Sequence, residues 1–100
     1  MAPKNFLYEA YLQEQKKLEV WRKGRVIPNF NPDLWRWDDF GSAIYYPAYG
    51  DQSSPNGWQF DHYPIPESLG GTDDVNNLRP LHHATNASLG GLLGGILGKR

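Results

Sequence analysis

Apolar residues recur at helical spacing at both ends of this chain and alternate with polar ones in the middle. Between residues 5 and about 23, Leu7, Tyr11, Leu18 and Trp21 fall on one face, with Tyr8 and Leu12 beside them. That spacing predicts a helix with an apolar stripe turned toward a core. Gly24 supplies a terminator, and Arg22, Lys23 and Arg25 cluster where a helix dipole favours positive charge. The same cluster is a candidate phosphate contact.

Val26 to Pro32 carries two prolines and two asparagines, which predicts an extended connector. Trp35 and Trp37 alternate with Arg36 and Asp38, as in a half-buried strand. Gly41 marks a turn, and residues 42–46 read as a second short strand. The aromatics of this stretch suit core packing; with Arg36 among them, base stacking is the functional alternative. Residues 47–57 form a loop rich in turn-forming residues, and Trp58 to Tyr63 alternates again as a strand. Pro64 and Pro66 stop it, and Gly70, Gly71, Asp73 and Asp74 give a polar loop. Pro80 is expected to open a final helix, since its missing N–H costs nothing in a first turn.

The last helix has an unusual tail. Leu89, Leu92, Leu93, Ile96 and Leu97 follow the helical template, while Gly90, Gly91, Gly94, Gly95 and Gly98 fill most gaps. Glycines in those numbers cost on the order of 5 kcal/mol relative to alanine, so only close packing on both faces would offset them. Three readings stay open: packing on the first helix, docking of the Leu89–Gly98 helix on a protein partner, and a frayed or membrane-surface segment.

The expected fold class is α+β, with an N-terminal helix, a small antiparallel sheet and a hairpin-helix unit at the C-terminal end. The segments are 1–25 for the helix, 26–57 for the aromatic-rich strands and loop, and 58–100 for the rest. At 100 residues, 39% of them hydrophobic, these form a single domain. Cysteine is absent, which excludes disulfides and any structural zinc held by thiolates. No apolar run approaches the roughly 20 residues of a membrane-spanning helix. The N-terminus lacks a signal-peptide core, and Glu9, Glu14 and Glu19 argue against a transit peptide. An intracellular, cytoplasmic location is expected.

The net charge of −1 hides an asymmetry. Residues 1–25 carry +3, residues 26–98 carry −6, and Lys99 and Arg100 add +2. Nucleic-acid binders usually show a basic surface, so this balance counts against strong DNA binding.

The informative chemistry lies between Trp58 and Asn86. An Asp61-His62 pair stands at a strand end, followed by a glycine turn, Asn77 and then Asn86. Carboxylate and amide oxygens suit a hard divalent ion, and a neutral imidazole can take a proton from water. Taken alone, Asp61-His62 is more simply a strand-end salt bridge.

The whole segment resembles the HNH endonuclease family, whose ββα-metal motif is a hairpin, a loop and a helix around one metal. The resemblance rests on Asp61-His62, Pro66, Ser68, Gly70-Gly71, Asp73-Asp74, Asn77 to Leu81, and Asn86. Upstream, Trp21 to Gly24 and Trp35 to Gly41 look like the flank of a small bacterial branch of that family. The resemblance implies His62 as general base and Asp61 and Asn86 as ligands of one divalent ion, Mg²⁺ or Mn²⁺. It also implies that Asn77 steadies the hairpin loop, and with it the His62 ring. Phosphate contacts to DNA would come from Lys16, Lys17, Arg22, Lys23, Arg25, Arg36 and Arg79.

The chain departs from the family pattern in its spacing, its cysteine positions and its final basic residue. His62 to Gly70 is one residue longer than the commonest spacing. The cysteine pair of many relatives is replaced by His82 and Thr85, which removes the structural zinc. His82 or His83 is a further ligand candidate, with a helix-surface or core role as the plainer reading. A basic residue usual after the final Asn is replaced by Ala87, Ser88 and Leu89.

Two functions therefore compete: a metal-dependent DNA nuclease, and a catalytically inactive HNH-fold subunit that docks into a larger assembly. A chance motif in an unrelated binding domain is the third reading. Asn86-Ala87-Ser88 also matches a glycosylation acceptor, which is accidental in a chain without secretion signals.

Overall fold

A computed structural model describes residues 3–97, with side chains described for residues 5–90. The fold is α+β. Helix α1 spans Pro3–Trp21, and strands β1 (Arg25–Val26), β2 (Trp35–Trp37) and β3 (Ala43–Tyr45) follow. Strands β4 (Trp58–His62) and β5 (Leu78–His82) then lead into helix α2 (His83–Leu97). Single 3₁₀ turns lie at Tyr46–Ala48, Glu67–Leu69 and Val75–Asn77. The strands form not one sheet but two, an antiparallel β1-β2-β3 and a β4-β5 hairpin.

The core sits where α1 ends. Val20, Trp21, Ile44, Trp58 and Leu78 make one buried cluster, with Tyr46 and Phe60 packed against it. The Trp21 and Trp58 rings lie 5.1 Å apart. Each buried indole still places its N–H, Trp21 on the Pro32 carbonyl at 3.0 Å and Trp58 on the Tyr46 carbonyl at 3.1 Å. Burial without that bond would cost free energy, so these two donors fix how the tryptophans enter the core.

The aromatic stretch thus serves packing, with Trp35 against Tyr45 at 4.6 Å across β2 and β3. One expectation for α1 fails. Only its last turns reach the core; Phe6 and Leu7 are 70% and 72% exposed, and Tyr8, Tyr11 and Leu12 are exposed as well. At 1.5 Å per residue, 19 residues span about 28 Å, and only the C-terminal end of that length carries buried residues, Val20 and Trp21. Periodicity predicted the stripe but not that half of it has no core beneath.

Pro80 does not open the final helix. It lies inside β5, paired with Phe60, and the helix starts at His83. An edge strand tolerates proline because one side of its backbone makes no ladder bonds, and β5 pairs only with β4. The helix start is set instead by His82, whose ring Nδ1 accepts the Ala84 N–H at 3.0 Å. The glycine-rich stretch is helical to Leu97, but the side chains of the Leu89–Gly98 docking segment lie outside the described residues from Gly91 onward.

A candidate metal-dependent active site

The hairpin puts the chemistry at the end closed by its 63–77 loop. Asp61 faces inward on β4 and is 2% exposed, while His62, next along the strand, is half-buried. Because α2 follows β5 without a linker, its first turn carries Asn86 back over β4. Asp61, His62, Glu67 and Asn86 line one open cleft of about 270 Å³, completed by Gln59, Phe60 and Ala87. That volume suits a hydrated ion and a phosphate group; small-molecule and cofactor pockets usually begin near 300 Å³.

The loop between His62 and Leu78 is closed by Asn77, which is buried. Its amide accepts the Ile65 N–H at 3.0 Å and donates to the carbonyls of Ile65 at 2.9 Å and Thr72 at 3.1 Å. The two glycines have separate reasons. Gly70 sits at φ +89°, left-handed backbone that favours glycine. A Cβ on Gly71 would stand 1.9 Å from the Ile65 carbonyl oxygen.

Asp61 and His62 each have a charged neighbour. Arg79 Nε donates to Asp61 Oδ2 at 2.7 Å, and its Nη1 reaches Asp39 Oδ2 at 3.2 Å. The guanidinium also lies 3.9 Å from the Tyr63 ring centroid. His62 Nε2 meets Asp73 Oδ1 at 2.7 Å. That bond holds the Asp73 carboxyl below its ordinary pKa, with a smaller contribution from the Lys16 charge.

The other candidates divide. His82 and His83 stack at 4.5 Å but point away from the cleft, their Nε2 atoms bonded to the carbonyls of Pro55 and Ser54. With Nδ1 of His82 accepting from Ala84, both of its ring nitrogens are engaged by backbone. Neither histidine lines the cleft, so the structure does not bring them to Asp61 and Asn86. Lys23 donates to the carbonyls of Val75 and Leu78, and Arg36 to those of Pro32, Arg22 and Gly24. Lys17 pairs with Glu14 at 3.2 Å and stands over the Tyr46 and Tyr49 rings. Four of the seven candidate phosphate contacts are thus engaged in the fold, leaving Lys16, Arg22 and Arg25 with no bonded side-chain partner among the described residues.

Three participants were not foreseen. Glu67 adds a carboxylate to the cleft, Asp73 meets His62, and Asp38 is buried with its carboxylate accepting the N–H groups of Phe40, Ser42 and His82. Glu67 and Asp73 depend on how the 63–77 loop closes, and the Asp38 link to His82 on how two distant segments meet, neither of which local spacing encodes.

Among the described residues, no three His, Cys, Asp or Glu side chains sit together as a ready-made metal cage. Mg²⁺ seldom uses one: it keeps waters and takes one or two carboxylates plus substrate phosphate. The oxygen donors of Asp61 and Asn86, in one cleft, fit that habit. The chain gives no match among protein-family models, curated proteins or solved structures. Among the described residues no helix is long and apolar enough to cross a membrane.

Proposed function

We propose that this chain is an HNH-type nuclease that hydrolyses DNA phosphodiester bonds with one divalent ion, Mg²⁺ or Mn²⁺. The observation that carries the reading is the meeting of Asp61, His62 and Asn86 in one open cleft, from a strand end and a helix separated by a long loop. Asp61 and Asn86 would hold the ion, whose chemistry is Lewis-acid stabilisation of charge on the scissile phosphate and leaving oxygen. His62 takes a proton from the attacking water. Asn77 keeps the loop closed beside it.

The charge around the cleft supports a cation-dependent substrate. Asp61 and Glu67 line the cleft and Asp73 borders it at His62, while Arg79 is shared between Asp61 and Asp39; such a field repels phosphate until a cation is added. Lys16, close enough to Asp73 to act on its charge, is the basic residue best placed for the DNA backbone.

Plasmid nicking with Mg²⁺ or Mn²⁺ tests the reading. Cleavage should vanish with chelator and fall at least a hundredfold in His62→Ala. Equal residual cleavage by the wild type and that variant would refute it.

A second reading, an inactive HNH-fold subunit of a larger assembly, draws on the exposed apolar half of α1 and on the Arg79 hold on Asp61. Native mass measurement separates them: a monomer that cleaves DNA removes the second.

A further inference from the structure

We infer that Asp73 is a positioning residue that fixes the tautomer and orientation of the His62 ring, so that Nδ1 is the atom receiving the water proton. The inference rests on the nuclease reading for its purpose, though not for its geometry.

An ionised carboxylate can only accept hydrogen bonds. With Asp73 Oδ1 2.7 Å from Nε2 of His62, that nitrogen must carry the ring proton in the neutral imidazole. The lone pair then belongs to Nδ1, which has no hydrogen-bond partner among the described residues on a ring that lines the cleft. The proton leaves water for Nδ1, while Nε2 keeps its own proton against Asp73. An unheld ring could offer the wrong nitrogen or turn away; a carboxylate behind it removes both options.

Asp73 is itself held, although its side chain is 79% exposed. The residue before it, Thr72, gives its carbonyl to Asn77 Nδ2. Asp74, after it, caps the Val75–Asn77 turn by accepting the Asn76 N–H at 2.9 Å. Both flanks of Asp73 are therefore tied to the clamp that closes the loop. Asn77 reaches the histidine in two steps, through the loop and then through Asp73.

The test has two arms on the full chain. By ¹H–¹⁵N NMR of the metal-free wild type with neutral imidazole, the His62 Nε2 proton should appear as a slowly exchanging, downfield resonance. Asp73→Ala should abolish it while the remaining spectrum and the melting temperature stay in place, as expected for so exposed a side chain. In plasmid cleavage, Asp73→Ala should lower kcat about tenfold to a hundredfold with KM unchanged, a part of what a positioned base supplies. Asp73→Glu should recover a part of the loss, and in a His62→Ala background Asp73→Ala should have no further effect. Survival of the ring resonance in Asp73→Ala overturns the inference, as does unchanged kcat in a chain that cleaves. If the wild type cleaves nothing, the nuclease reading fails by itself, and loss or survival of the resonance still decides for or against the Asp73 hold.

Discussion

Arg79 and Asp61 stand directly opposite each other on β5 and β4, joined from Nε to Oδ2 across 2.7 Å. The carboxylate is buried and the guanidinium nearly so, with side-chain exposures of 2% and 12%. Removing the cation from such a pair costs far more than breaking a surface bridge, because a buried charge loses its counter-ion. Arg79→Leu should destabilise the fold by about 3 kcal/mol, and Mn²⁺ should restore part of that loss by replacing one cation with another. Thermal melts with and without Mn²⁺ check this. A variant as stable as the wild type and indifferent to Mn²⁺ would show that the pair contributes little.

Closure of the 63–77 loop depends on Asn77 and Gly71 together. Asn77→Ala removes three hydrogen bonds from a buried side chain and should cost about 2–3 kcal/mol, since Ile65 remains open enough to regain water. Gly71→Ala forces a Cβ to within 1.9 Å of the Ile65 carbonyl oxygen and 2.8 Å of Asn77 Nδ2. The backbone must shift, at about 1–3 kcal/mol. The double variant should be less destabilised than the sum of the two, because both act on one contact; denaturant titrations of the four proteins measure the coupling.

Asp38 links the two sheets. Its Oδ1 accepts from Phe40 and Ser42 in the β2–β3 turn, and its Oδ2 accepts from the His82 N–H at 3.0 Å. Asp38→Ala leaves three N–H groups without this partner and should cost about 3–5 kcal/mol, enough to unfold a marginal domain of this size. Asp38→Asn keeps one acceptor for the turn but presents an amide to His82, and should fall between the two. Circular dichroism melts give the order.

Acid should weaken the anchoring of α1. The Tyr46 hydroxyl donates to Glu14, and this bond, helped by Lys17, lowers the Glu14 pKa from its ordinary 4.5. Tyr46 moves the other way, its pKa pushed up by burial first and then by Glu14. A carboxyl depressed in the folded chain adds stability above its unfolded pKa, and loses it as pH falls through the folded one. Glu14→Gln should therefore be less stable than wild type at pH 7, by well under 1 kcal/mol for so exposed a pair. The gap should close as pH drops below about 4.5. A gap that persists at pH 2 would assign the effect to packing.

Some of this was legible in the residues. Strands β2 and β4 came from alternation, β3 from the turn at Gly41, and the helical ends from spacing. Strand β1 did not, because two residues carry no period, nor β5, because Pro80 reads as a helix start unless the edge position is known. The stripe on α1 showed which side is apolar but not where the body of the domain stops. Asp61, His62 and Asn86 could be singled out by residue type and order. The Asp61–Arg79 pair would have followed from the hairpin register, had β5 been seen. Glu67 and Asp73 could not, since each acts across a loop whose path is set by glycines and by a buried amide; nor could the link made by Asp38, whose bond to His82 spans 44 positions.

Strand β5 ends at His82 and helix α2 begins at His83, with both rings pinned to the 54–55 backbone. The start of the helix is therefore seated by two rings as well as by the strand it continues. A change in the 54–55 backbone would reach Asn86 through those seats, without touching any residue that lines the cleft.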